Sequence, residues 1–221
     1  MTKPSMLKLL GVLLVGIFSF GQADTSSSLT DAQVNAAIDH ALHGKRHIIG
    51  LTLNDVQTAI FSGMVCETCG TSGYTIHVYT AESWIEQEAI RARDEMLPFN
   101  LESVTTEMRL PYLRVVALPS TADYVSGAGM SMASSVHRVV LSSTDRNETI
   151  QPLETSNAAV ETNSAFRSVD YASASTVFAL QDVEALRQKD KNGEFFIVVV
   201  GDNQNKFFKV KTKFFKQLFG K

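Results

Sequence analysis

The sequence predicts an α+β protein, with a small N-terminal helix-and-strand part followed by a C-terminal β-sandwich. Three observations carry that expectation. Residues 193–215 read as a hairpin: an unbroken β-branched and aromatic run from Phe195 through Val200, a turn at Gly201-Asp202-Asn203, and a return through Lys206. From about Val104 onward, short β-prone segments alternate with turn residues, the spacing of an all-β layer structure. Ahead of that point, two segments repeat apolar residues at helical spacing.

The first residues are set apart from the fold. Lys3 and Lys8 lead into an apolar run over residues 9–20, and Gly21-Gln22-Ala23 supplies small residues for cleavage, so residues 1–23 read as a signal peptide. The run is shorter than the roughly 20 residues a spanning helix needs. No later segment is long and apolar enough to serve, so no transmembrane segment is expected after cleavage. The expected destination is an exported one, periplasmic or extracellular. Residues 24–103 then form the α+β part and residues 104–221 the sandwich-like part. The whole chain carries a formal charge of −3, and losing two lysines makes the remainder more acidic, which gives no argument for a nucleic-acid partner. At 44% hydrophobic residues the chain can supply a packed core, whereas two cysteines are too few to hold it with disulfides.

Along the chain, Thr30 is placed to cap a helix, with Gln33 at the capping-box position and Val34, Ala37, Ile38, Ala41 and Leu42 at helical spacing up to Gly44. Ile49, Leu51 and Leu53 alternate like a strand. Residues 62–73 hold three glycines and both cysteines and read as a loop. Tyr74, Ile76 and Val78 alternate with Thr75, His77 and Tyr79, which predicts a strand. A second helix follows, with Thr80 as N-cap, Glu82 near the positive helix end, and an apolar stripe of Ile85, Ala89, Ala92 and Met96 that Pro98 ends. Trp84 flanks that stripe, and Glu82, Glu86 and Glu88 read as surface charges.

Strands are expected at residues 110–118, 136–141, 149–153 and 176–180, with a long small-residue loop at 119–135 and a polar, loose segment at 154–164. A single helical turn at 182–187 leads to the hairpin. Its return strand sets Phe208, Val210, Thr212 and Phe214 on one side and Lys209, Lys211 and Lys213 on the other. Val183, Leu186, Gly193, Phe196, Val198 and Val200, in the order strand, helical turn, glycine turn and long apolar strand, resemble the closing strands of immunoglobulin-like or fibronectin-type sandwiches. The resemblance covers about residues 176–215 and implies an immunoglobulin-like β-sandwich and no particular activity.

Cys66-Glu67-Thr68-Cys69 is the one local motif with chemical content. A disulfide that tightens the loop is the expected state in an oxidising compartment. A zinc site would recruit His77, His40 and His43 to complete a set of four ligands. A redox thiol is disfavoured because glycines follow instead of a helix. Gly129-Met130-Ser131-Met132-Ala133 departs from a hydrolase nucleophile elbow at its last position. Met130 and Met132 in that loop, with Lys209, Lys211 and Lys213, are the candidate binding residues, because a lysine strip suits an anionic partner as well as it protects a sheet edge. The expected role is an exported, non-catalytic binding or assembly module that needs no cofactor and meets a protein or envelope component. The alternatives are a zinc- or thiol-dependent exported protein and a secreted hydrolase.

Overall fold

A computed structural model describes residues 27–43, 50–54, 57–58, 60–61, 64–65, 71–119, 135–164, 167–201 and 205–219. The leader at 1–23, Cys66, Cys69, Met130 and Met132 lie outside the described residues. The protein is mixed α+β, with mostly antiparallel sheets and few helices.

In chain order, α1 (Asp31–His43) and β1 (Leu51–Asn54) come first, followed by the two-residue strands β2 (Gln57–Thr58), β3 (Ile60–Phe61), β4 (Met64–Val65) and β5 (Thr71–Ser72). Next come β6 (Tyr74–Thr80), α2 (Ala81–Asp94), β7 (Tyr112–Pro119), β8 (Val136–Ser142) and β9 (Thr149–Ile150). The chain then forms β10 (Glu154–Ser164), β11 (Arg167–Ala179), α3 (Leu180–Lys189), β12 (Phe195–Gly201), β13 (Asn205–Val210) and α4 (Thr212–Phe219). One sheet runs β1-β6-β7-β11-β10 and a second runs β13-β12-β8-β9.

Alternation decides which side chains enter the core. On β7, Leu113, Val115 and Ala117 are fully buried while Tyr112, Arg114 and Val116 between them are only partly so. A single apolar cluster takes Ile76, Val78, Leu113, Val115 and Phe178 from the first sheet and Val139, Leu141, Ile197 and Val199 from the second. Each such side chain contributes roughly 1.5–3 kcal/mol when fully buried. β12 lies between β13 and β8, as its unbroken apolar run requires. β1 and β6 precede residue 103, and the strands they share a sheet and core with follow it, so both are continuous across the expected 103/104 boundary.

A smaller core joins the first two helices: Val34, Ala37 and Ile38 of α1 meet Ile85 of α2 and Val104. Both helices start on side-chain caps. The Thr30 amide donates to Gln33 Oε1 at 2.9 Å, and Thr80 and Ser83 exchange hydrogen bonds in a capping box. At the other end of α2, Met96 leaves the expected stripe. It stands at φ 59 and is 93% exposed, because the helix closes at Asp94 and the backbone turns left-handed ahead of Pro98.

Four further expectations are corrected. Residues 154–164 are a full strand that pairs with β11 from Glu154↔Val177 to Ser164↔Arg167. β11 starts at Arg167, well before Thr176, and α3 is a helix of 10 residues and not one turn. The return strand ends at Val210, and α4 follows it, burying Phe215 and packing Phe214 and Leu218 against the main core. Between α3 and β12, Gly193 takes φ 64 with its amide on Asp190 O, and a Cβ there would sit 2.9 Å from the Arg187 guanidinium.

Candidate functional site

A shallow, open cleft lies where α2 begins, between that helix, β7 and the segment leading into β7. Thr80, Ala81, Trp84, Glu107, Met108, Leu110, Tyr112 and Arg114 line it. Alternation along β7 brings Tyr112 and Arg114 to the face turned away from the main core. The Arg114 guanidinium lies 4.7 Å from the centre of the Trp84 ring, within reach for a cation–π contact. It also donates to Glu107 Oε1 at 3.0 Å from Nη2 and to Ser175 Oγ at 3.3 Å from Nη1. Tyr79 meets the indole edge-on, with ring centres 5.3 Å apart, and so fixes its orientation. A guanidinium has five N–H donors, and only Nη1 and Nη2 meet protein acceptors among the described residues. The cleft therefore offers an aromatic face, a thioether and a cation with donors to spare.

No protein-family model, no curated protein and no solved structure matches this chain.

The histidines expected around a metal each meet another polar side chain. His40 Nδ1 lies 2.8 Å from Glu86 Oε1, and His43 Nδ1 lies 3.1 Å from Asp39 Oδ1. His77, on β6, meets Thr52 Oγ1 at 3.1 Å and stacks on Tyr79, and its partial burial lowers its pKa from the usual 6.5. Among the described residues no group of three or more His, Cys, Asp or Glu side chains is arranged to hold a metal ion. Cys66 and Cys69 fall outside the described residues.

The candidate lysines do not form a strip. Lys209 lies on β13 and pairs with Glu194 at 2.5 Å. Lys211 lies between β13 and α4, and Lys213 lies in α4 with its ammonium 4.8 Å from the Phe214 ring centre. β13 is an edge strand, which agrees with the protective reading of Lys209. What the second sheet exposes instead is an aromatic pair. Phe207, 40% exposed, meets Phe196 edge-on, and Arg146 lies 4.2 Å from the Phe207 ring centre.

Glu86 was expected as a surface charge and is buried at the α1–α2 contact, where it meets His40. Its position directly after Ile85 placed it near the stripe, but only the approach of α1 turns that position inward. Arg114 and Trp84 also escaped notice as site residues. The available signal was a lone arginine at an alternating position of an otherwise apolar strand, Tyr112-Leu113-Arg114-Val115.

Proposed function

We propose that this protein is an exported, non-catalytic binding module of the cell envelope, periplasmic or extracellular, built on an immunoglobulin-like sandwich. The export reading rests on the basic lead, apolar run and small residues of positions 1–23. The immunoglobulin-like reading rests on the order of the closing strands and on apolar residues of two antiparallel sheets meeting in one core. The observation that carries the binding role is the convergence of Trp84, Tyr112 and Arg114 in one open cleft. Tryptophan, tyrosine and arginine are the residue types that contribute most where protein surfaces bind. The partner this chemistry fits is an envelope protein that presents an apolar side chain beside a carboxylate, which would accept from the Arg114 donors that Glu107 and Ser175 leave over.

Trp84 is the chain's one tryptophan, so its fluorescence reports on the cleft directly. Immobilised mature protein should retain a partner from envelope extracts, and the eluted partner should shift Trp84 emission. Arg114→Gln should lose that retention while keeping its melting temperature. Retention unchanged in Arg114→Gln, or a bound partner that leaves Trp84 emission untouched, would place binding elsewhere.

A further inference from the structure

The four outer strands of the two sheets are β1, β10, β13 and β9. Exposed edges invite pairing with other chains, and proteins blunt them by shortness, lysine, proline or a bulge. Three of these edges are blunted in that way. β1 has 4 residues, β9 has 2, and β13 carries Lys206 and Lys209. β10 differs on every count: it has 11 residues, contains no lysine, proline or glycine, and keeps an unbroken register with β11. Residues 154–158 are all exposed. Its outward backbone groups have no strand partner among the described residues.

We infer that β10 is a self-association edge, and that it pairs antiparallel with β10 of a second copy to join two five-stranded sheets into one. A two-fold axis perpendicular to the sheet brings a residue opposite its own copy, so paired positions differ by an even number and share a face. An axis at Ala158 sets Ala158 opposite Ala158, Asn157 opposite Ala159, Thr155 opposite Glu161 and Glu154 opposite Thr162. Small residues meet at the centre, and Glu154 and Glu161, an odd number apart, never come opposite each other. Like charges directly opposite would oppose pairing. A single strand pair buries little surface, which makes the association reversible and concentration-dependent.

Sedimentation velocity on the mature chain should show monomer passing to dimer as concentration rises, and hydrogen exchange should slow for amides of residues 154–164 over the same range. Ala158→Lys sets two lysines face to face at the axis on an exposed position and should abolish both effects without lowering the melting temperature. A chain that stays monomeric to its solubility limit overturns the inference. So does a dimer whose protected amides lie on β13, or one that Ala158→Lys leaves intact.

Discussion

His77 shows how one residue's surroundings become a property of the whole chain. Its imidazole is half-buried on β6 beside Thr52 and Tyr79, and burial disfavours the charged form and lowers its pKa from 6.5. As pH falls, the unfolded chain takes up this proton before the folded one. The stability that the neutral ring contributes is therefore complete above pH 6.5 and is lost as pH falls toward the folded value. His77→Gln should flatten the fall of the melting temperature on the acid side of 6.5. An unchanged slope would assign that fall to other groups. Asp190 acts in the same direction at lower pH, its contribution being lost only as pH falls below 3.8. Its carboxylate accepts from Thr144 Oγ1 at 2.5 Å and from the amides of Asn192 and Glu194, which hold its pKa below the usual range and tie the β8–β9 turn to the start of β12. Neither behaviour is legible in the sequence, since each depends on neighbours remote in the chain.

Elements were legible where their burial is one-sided and their length sufficient. α1, β6, α2, β7 and β12 each carry enough apolar residues at one period to declare themselves. β10 did not, because an outer strand with residues 154–158 exposed needs no buried residues there and reads as polar coil. α4 was misread for a different reason: Lys211-Thr212-Lys213-Phe214-Phe215 fits period 2 and period 3.6 alike over so short a window. Tertiary contact settles it, since a helix lets Phe215, Phe214 and Leu218 all reach the main core, with Arg187 4.7 Å from the Phe215 ring centre. The three candidate lysines consequently differ in what they do. Lys209→Ser should cost about 1 kcal/mol, because it leaves the mostly buried Glu194 carboxylate without its partner. Lys211→Ser and Lys213→Ser should each stay within about 0.5 kcal/mol, the usual range for exposed positions. Denaturant midpoints measure all three, and equal costs would contradict their separate placement.

At the scale of the molecule, the main core binds β1 and β6 to strands that lie more than a hundred residues further on. Calorimetry should therefore give a single unfolding transition, and a chain begun at residue 104 should not fold, since β7 would lose β6, one of its two neighbours in the sheet. Two separate transitions would show that the parts on either side of residue 103 are independent. The sequence by itself determined the α+β class, the central place of β12, the two capped N-terminal helices and the Gly193 turn. Periodicity, capping and turn chemistry are local, and each of these elements writes its burial into neighbouring positions. Only the tertiary structure decided the rest: that Glu86 turns inward, that Trp84 and Arg114 meet, that the lysines part company, and that β10 is the outer strand of its sheet among the described residues. Those outcomes depend on which residues distant in the chain come to face each other, and no spacing along one chain encodes that.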